Sequence, residues 1–457
     1  MNSPGNSIAS RDIKSYLHPY TNLKAHEQNG PLVITRGAGI HVYDEDGKAY
    51  IEGMAGLWCT ALGFGEERLV EAATQAMRNL PFYHGFNSKT TPVAVDLAER
   101  LLSLAPVPMS KVFFANSGSE ANDSVIKLVV YYNNARGLRH KKKIIARERG
   151  YHGVTVASAS LTGLPNNHRA FDLPLAGILH TDCPYPYRGQ NPGESAEDYA
   201  TRLAENLETL IQEEGPHTVA AFIAEPVMGA GGVIVPPKTY FEKIQAVLRK
   251  YDVLMIADEV ICGFHRTGNT WGSETFTIQP DIMTMAKALS SAYLPISAVM
   301  INEEIYQAIA QQSATIGTFG HGFTYSGHPV SAAVALETLK IYEERDMSAH
   351  VNAVAPRLWY NLETLRDHPL VGDVRGVGLL AGLELVADKV EKTPFDPKQG
   401  VGAAVAKRAE QHGLILRALG DTLAICPPLI IETAEIDALA ERLTRALDDI
   451  AAEIRGN

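Results

Sequence analysis

Cysteine is scarce in this sequence, and the few cysteines are scattered. Only four of the 457 residues are cysteine (Cys59, Cys183, Cys262 and Cys426), and no two of them form a C-x-x-C pair. This pattern argues against a disulfide framework and against a cysteine zinc site. The histidines show no H-E-x-x-H or comparable spacing, so we expect no metal site.

Long apolar runs and an excess of basic charge are also missing. No stretch reaches the roughly 18 apolar residues that a membrane span requires, and the N-terminus has no apolar segment typical of a signal peptide. The 41 basic and 52 acidic side chains give a formal net charge of −11, which disfavours binding to a nucleic-acid backbone. We therefore expect a globular, cytoplasmic protein without nucleic-acid or membrane partners.

The pattern of apolar residues indicates an α/β fold. An alternating stretch around a turn predicts a short antiparallel hairpin over residues 40–51. From about residue 90, short runs rich in Val, Ile and Phe alternate with stretches at helical spacing, which is typical of parallel βαβ units. We predict a large domain over residues 61–330 and a smaller α+β domain built from residues 1–60 and 331–457.

Three polar residues directly follow predicted buried strands. They are Glu225, Asp258 and Lys287, and in a parallel sheet they would meet at the carboxyl edge, where open α/β sheets bind ligands. Each alone could be an ordinary polar residue that ends a strand. Together, two acids and a lysine suggest a cationic ring or imine held by a carboxylate.

A polar loop supplies a fourth element. Ser117, Gly118 and Ser119 follow a strand and open a helix, with Ser119 as the expected N-cap. Free N–H groups at such a helix end bind anions, and glycine lets a phosphate approach the backbone; the alternative is a plain capping box. The loop is not G-x-x-x-x-G-K-[ST], which disfavours a nucleoside triphosphate.

A phosphate site combined with an aspartate and a lysine at strand ends fits pyridoxal phosphate. The lysine amine would form a Schiff base with the aldehyde of this cofactor. The carboxylate would keep the pyridine nitrogen protonated, so that the ring can withdraw electrons. An aromatic face such as that of Tyr151 could cover the ring.

Between about residues 30 and 445, the chain resembles the class III, pyridoxal-phosphate-dependent aminotransferases of fold type I. The resemblance rests on several motifs taken together: N-S-G-S-E-A-N from residue 116, G-Y-H-G from 150, E-P from 225, I-A-D-E-V from 256, G-F-x-R-T-G from 263, and P-D-I through A-K-A-L over 280–289. It implies an enzyme that moves an amino group between an amine and a keto acid, at least dimeric, with active sites shared between subunits.

The resemblance also implies individual roles. Lys287 and Asp258 resemble the catalytic lysine and the partner of the pyridine nitrogen, while Val260 and Tyr151 resemble the residues on the two faces of the ring. Thr324 resembles a residue that reaches the phosphate from the neighbouring subunit. The implied cofactor-binding set is Ser117, Gly118, Ser119, Tyr151, His152, Glu225, Asp258, Val260, Lys287, Phe323 and Thr324.

The segment after Lys287 departs from the commonest family pattern. A glycine-rich stretch is usual there, whereas this chain has L-S-S-A-Y-L-P-I over residues 289–296. That variant resembles the pyruvate-dependent omega-aminotransferases, which accept amines lacking an α-carboxylate. Arg417 resembles an arginine that clamps the keto-acid carboxylate and swings away when an apolar amine binds. The implied substrate-binding set is Leu57, Trp58, Phe86, Tyr151, Ala230 and Arg417.

Several alternatives remain open at this point. The donor could instead be β-alanine, 4-aminobutyrate or a diamine. Trp58 and Phe86 could be plain core aromatics, and Arg417 a solvated surface residue. A nicotinamide-dependent oxidoreductase would need a G-x-G-x-x-G motif after the first strand, which is missing. A non-catalytic binding protein of the same fold would be marked by loss of Lys287 or Asp258, and both are present.

Overall fold

A computed structural model describes residues 7–456 of the chain. Strands and helices alternate along much of that range. In chain order, the strands are β1 (Ile34–Ala38), β2 (His41–Asp44), β3 (Ala49–Glu52), β4 (Lys111–Ala115), β5 (Lys143–Arg147), β6 (Ile178–Thr181), β7 (Val219–Ala224), β8 (Leu254–Asp258), β9 (Ile282–Met285), β10 (Ser297–Ile301), β11 (Val371–Val377), β12 (Leu380–Leu385), β13 (Leu414–Ile415), β14 (Arg417–Leu419) and β15 (Thr422–Ile425).

The α-helices range from single turns to a 24-residue helix near the C-terminus. Within residues 7–456, none of them is both long and apolar enough to cross a membrane. In chain order, they are α1 (Ile8–Ser15), α2 (Leu23–Asn29), α3 (Ala55–Trp58), α4 (Glu67–Asn79), α5 (Pro92–Leu104), α6 (Gly118–Ala135), α7 (Val156–Leu161), α8 (Pro186–Gly189), α9 (Ala196–Glu214), α10 (Tyr240–Lys250), α11 (Gly272–Thr275), α12 (Glu303–Ile316), α13 (Pro329–Glu344), α14 (Met347–Thr364), α15 (Val401–Gln411) and α16 (Thr433–Gly456).

Seven strands form the large sheet, in the order β4-β10-β9-β8-β7-β5-β6. The neighbours β9-β8, β8-β7, β7-β5 and β5-β6 are parallel, whereas β10 runs antiparallel to β4 and β9. The predicted α/β fold with a mainly parallel sheet is therefore confirmed. Because parallel strands need crossover connections, helices cover both faces of this sheet.

The interior strand β7 shows how the two faces of the large sheet are buried. All six of its residues are buried. Phe222 belongs to a core that includes residues of α9 and α10, whereas Ala221 and Ile223, which alternate with it, belong to a second core with residues of α6. Strands buried on both faces read as continuous apolar runs, which is why the sequence predicts this strand so directly.

Two smaller sheets use both ends of the chain. In the first, β1, β2 and β3 form an antiparallel meander that contains the predicted hairpin, and β13 pairs parallel with β3. The second is antiparallel, in the order β11-β12-β15-β14. The domain boundaries at residues 60 and 330 stay a prediction, and residues 1–6 and 457 lie outside the described range.

Candidate active site

The three polar strand ends meet at one cavity. Asp258 is the last residue of β8, Glu225 follows β7 directly, and Lys287 comes two residues after β9 ends. Since β7, β8 and β9 are parallel neighbours, their carboxyl ends lie side by side. All three residues line a cavity of about 340 Å³.

The side chain of Asp258 accepts three hydrogen bonds in this cavity. Its Oδ2 accepts hydrogen bonds from Asn122 Nδ2 and from His152 Nδ1, each at 2.8 Å, and its Oδ1 accepts one from the N–H of Val260 at 3.1 Å. Burial raises the pKa of the Asp258 carboxyl, but the hydrogen bond and charge of His152 and the other two donors outweigh this and hold its pKa below the ordinary value. A buried, ionised carboxylate is thus available to pair with a cation.

Lys287 lines the cavity and lies in a turn with unusual backbone angles. Its φ is +49°, and Ser291 and Ala292 that follow also have positive φ. Non-glycine residues rarely adopt such backbone angles, which cluster at functional sites. Burial lowers the pKa of the Lys287 amine, and the negative charge of Asp258 partly opposes this. A lowered pKa leaves more of the amine uncharged and nucleophilic.

The polar loop before α6 lies at the same cavity. Ser117, not Ser119, is the N-cap, because its Oγ accepts the N–H of Glu120; this corrects the expectation from the sequence. Ser119 lies in the first turn, where its Oγ accepts the N–H of Val154 at 3.1 Å. A Cβ on Gly118 would lie 3.2 Å from both methyl groups of Val260. The helix therefore presents free N–H groups and a serine hydroxyl to the cavity, which suits a phosphate.

The segment after β5 brings Tyr151 and His152 to the cavity beside Glu225. Glu225 is buried, with Oε1 accepting the N–H of Tyr151 at 3.0 Å and Oε2 that of Gly229 at 2.9 Å. Burial raises the pKa of the Glu225 carboxyl. These two hydrogen bonds connect the end of β7 to the segments that carry Tyr151 and Gly229. Glu225 therefore positions these segments at the cavity.

A second cavity of about 510 Å³ adjoins the first and shares Tyr151 and Lys287 with it. Leu57, Trp58, Ala230 and Arg417 also line it, so five of the six predicted substrate residues meet there. Arg417 begins β14 and is half-buried; within residues 7–456 it makes no ion pair. Burial lowers the pKa of its guanidinium. An arginine without a carboxylate partner in a cavity is suited to receive one from a ligand.

The donor set of these cavities fits pyridoxal phosphate. The α6 N-terminus suits its phosphate, Asp258 its ring nitrogen, and Lys287 its aldehyde. The family comparison agrees: a model described as aminotransferase class-III matches residues 23–447.

The chain is a class III aminotransferase. Like other enzymes of this class, it depends on pyridoxal phosphate, and its fold is fold type I. A tomato (Solanum lycopersicum) protein named gamma aminobutyrate transaminase 3, chloroplastic, is 52% identical over 97% of this chain and 86% of its own length.

Two solved structures are also close to this aminotransferase. The omega transaminase from Pseudomonas jessenii, in complex with PMP, has a TM-score of 0.97 and 57% identity, covering 98% of this chain and 99% of its own. A structure described as a transaminase with L-ala has a TM-score of 0.91 and 60% identity, covering 93% and 100% of the two chains.

Three predicted site residues lie elsewhere in the single chain of the aminotransferase. Phe86 and Phe323 line a different cavity of about 610 Å³ that does not include Lys287. Thr324 is exposed next to Phe323. Within one chain, the structure does not bring these three residues to the Lys287 cavity.

Sequence reasoning missed residues that line the cavities. Asn122 donates to Asp258, and its position one helical turn after Gly118 was an available signal. Cys59 lines the first cavity beside Lys287. Tyr20 lines the second cavity together with Tyr151 and Arg417, and nothing in its local sequence pattern points there.

Proposed function

We propose that this aminotransferase moves the amino group of an amine without an α-carboxylate to pyruvate, in two half-reactions with ping-pong kinetics. The observation that carries the proposal is the position of Arg417. It lines the same cavity as Leu57, Trp58 and Tyr151, with no acidic partner among the described residues.

The two substrates make opposite demands on this cavity. The guanidinium of Arg417 offers a keto-acid carboxylate two parallel hydrogen bonds. An uncharged amine substituent instead needs the apolar wall of Leu57 and Trp58, and an unpaired buried charge beside it would cost several kcal/mol. Arg417 therefore binds the acceptor and moves aside for the donor.

The residues of the first cavity supply the chemistry of transfer. When bound, pyridoxal phosphate would supply an aldehyde for the amino group and a ring that withdraws electrons. Lys287 Nζ takes the proton from the amine-bearing carbon and returns it during transfer. Asp258 would hold a proton on the ring nitrogen, and the α6 N-terminus with Ser117 and Ser119 would bind the phosphate.

The solved relatives support this substrate pair. One is described as an omega transaminase, and another is described with L-ala. Alanine is the amino acid that pyruvate becomes when it accepts an amino group. Both chains are more than half identical to this one over at least 93% of its length.

A second candidate donor is 4-aminobutyrate. The tomato relative at 52% identity is named for it. In this case, Arg417 would bind the distal carboxylate of the donor as well as the carboxylate of the acceptor. β-Alanine would be a donor of the same type, with a remote carboxylate. A diamine, which has no carboxylate, is a separate alternative.

The displaced residues Phe86, Phe323 and Thr324 lead us to propose a homodimer. A second subunit could bring these three residues to the cofactor and substrate cavities. Phe82, Tyr83, Phe86 and Tyr325 expose between 37% and 58% of their surface, and such an aromatic patch is suited to a subunit interface. Light scattering should give twice the mass of one chain; the mass of a single chain would contradict the dimer. A cytoplasmic location is likewise a proposal, resting on the sequence alone.

The visible spectrum of the purified enzyme distinguishes the donors. With 1-phenylethylamine and no keto acid, we expect the absorption band of the lysine-bound cofactor to fade, and to return when pyruvate is added. A band that ignores this amine but fades with 4-aminobutyrate would favour the second candidate. A band that fades with the amine but returns only with another keto acid would contradict pyruvate as acceptor.

A further inference from the structure

Two histidines share one carboxylate in the N-terminal segment, away from the residues used above. Asp12 lies in α1, His18 between the two helices, and His26 in α2. His26 Nε2 lies 2.8 Å from Asp12 Oδ2, and His18 Nε2 lies 2.9 Å from both oxygens of Asp12. Among the described residues, this is the one group of three histidine, cysteine or acidic side chains whose ligand atoms all lie within 4.8 Å of one another.

The three side chains are partly buried. They expose 22% (His18), 10% (His26) and 15% (Asp12) of their surface.

Two imidazole nitrogens and one carboxylate are a ligand set that zinc takes when water fills its fourth position. With bonds of about 2.0–2.2 Å, tetrahedral zinc separates neighbouring ligand atoms by about 3.4 Å. The two pairs that Asp12 forms lie at 2.8–2.9 Å. Zinc would thus replace the shared protons after the carboxylate and the two rings part by roughly half an ångström.

We propose that Asp12, His18 and His26 bind one zinc ion per chain, which fastens α1 and α2 to each other. Neither helix buries a single residue, and they are only eight and seven residues long. Helices this short are unstable without tertiary contacts. A zinc ion bound by Asp12, His18 and His26 would link α1, the connecting segment and α2 to one another.

The segment between the helices reaches the substrate cavity. Tyr20, two residues after His18, lines that cavity beside Tyr151 and Arg417. Its hydroxyl accepts a hydrogen bond from Asn167 Nδ2 at 2.5 Å, although most of the Tyr20 side chain is exposed. The zinc site would therefore hold the wall of the cavity that Tyr20 forms.

Calorimetric titration of zinc chloride into the untagged holoenzyme, stripped with a chelator beforehand, tests this site. We expect one zinc ion per chain. His18→Ala and His26→Ala should each weaken binding by at least the 10–100-fold that loss of an outer-shell partner costs. Asp12→Asn keeps the size of the side chain but removes its charge, and should weaken binding similarly.

His412→Ala is the matched control. His412 Nε2 lies 2.8 Å from Asp449 Oδ2, so this pair has the same geometry without a second histidine. The variant should bind zinc as the wild type does. Zinc should also raise the melting temperature of the wild type and of this control, but not that of the His18 or His26 variants.

Two results would overturn the proposal. Stripped holoenzyme that takes up no zinc would mean that Asp12 and the histidines share protons only. Zinc binding that is unchanged in His18→Ala, His26→Ala and Asp12→Asn would place the ion elsewhere, for example at the cofactor. The visible spectrum of the bound cofactor reports for each variant that the enzyme is folded.

Discussion

His152 Nδ1 lies 2.8 Å from Asp258 Oδ2, and both side chains are almost fully buried. Since an ionised carboxylate can only accept, Nδ1 carries the proton and Nε2 does not when the ring is neutral. The bond helps to hold the pKa of Asp258 below its ordinary value, whereas burial acts to raise it. Asn122 and the N–H of Val260 complete the set of donors. The charge that would face the cofactor ring therefore depends on side chains that need not touch the ring.

Replacing Asn122 by alanine should make cofactor binding more sensitive to acid, because Asp258 loses one hydrogen-bond donor. The folded-state pKa of Asp258 is lowered, so its stabilising effect is present above the ordinary pKa and disappears as the pH falls through the folded-state value. Asn122→Ala removes one donor, so this loss should begin at higher pH, and cofactor affinity at neutral pH should fall roughly tenfold. Cofactor retention measured against pH checks both effects. Asn133→Ala is the control, because Asn133 is also buried on α6 but donates to Val129 O. Identical acid profiles for the two variants would contradict the role of Asn122.

Lys287→Ala should abolish transamination while the fold persists. Loss of a positioned acid–base group costs about 10²–10⁴ in rate, and the cofactor would also lose its covalent attachment. Single-turnover assays with cofactor added in excess measure the first effect, and circular dichroism checks the fold. Lys141→Ala is a suitable control, since Lys141 is also buried but donates to Tyr251 O outside the cavity. Turnover at more than a hundredth of the wild-type rate in Lys287→Ala would contradict its role.

Arg417→Ala should separate the two half-reactions. Hydrogen bonds to a charged group contribute about 1.5–3 kcal/mol, so kcat/KM for pyruvate should fall roughly ten- to a hundredfold. For an amine without a carboxylate, kcat/KM should change little, because Arg417 does not bind that substrate. Half-reaction kinetics with each substrate alone give both values. Arg417→Lys keeps the charge but not the two parallel bonds, and should recover only part of the pyruvate rate. Equal losses for both substrates would contradict the proposed movement of Arg417.

The sequence predicts the site best where ionisable residues directly follow predicted strands. Asp258, Glu225 and Lys287 could be placed at one edge because parallel strands end together. The cap of α6 was assigned to Ser119 instead of Ser117, since boundaries of helices are uncertain by a residue or two. Tyr20 reaches its cavity through a tertiary contact with Asn167 that no local pattern records.

Tertiary and quaternary contacts limit what the sequence alone predicts for the proposed zinc ligands and for Phe86 and Thr324. Asp12, His18 and His26 converge through the tertiary structure of the N-terminal segment, although their spacing matches no known motif. Phe86 and Thr324 were assigned to the site by resemblance alone. Which chain supplies a side chain is not recorded in a local pattern, and in this single chain both lie away from Lys287.

A buried acid at the end of β3 should make stability depend on pH. Glu52 is 6% exposed, and its Oε1 accepts the N–H of Met54 at 2.9 Å. Burial raises its pKa to about 7 from an ordinary value of 4.5. A group with a raised folded-state pKa contributes stability that is full below the ordinary pKa and is lost as the pH rises through the folded-state value. Stability should therefore fall between about pH 4.5 and 7, by up to about 3 kcal/mol from this group.

Glu52→Gln should remove that contribution, because glutamine does not ionise. The difference in melting temperature between variant and wild type should shift in favour of the variant as the pH rises from about 4.5 to about 7. Glu45→Gln, in an exposed position on the preceding turn, should follow the wild type at every pH. We expect the effect to reach the substrate cavity, because α3 follows β3 and carries Leu57 and Trp58, which line that cavity. Within α3, φ is +46° at Ala55 and +65° at Trp58. A strained turn needs its surroundings to hold it, so KM for the amine should rise with pH in the wild type more than in Glu52→Gln. If the melting temperature and KM of the two enzymes change in parallel with pH, Glu52 stays ionised over this pH range despite its burial.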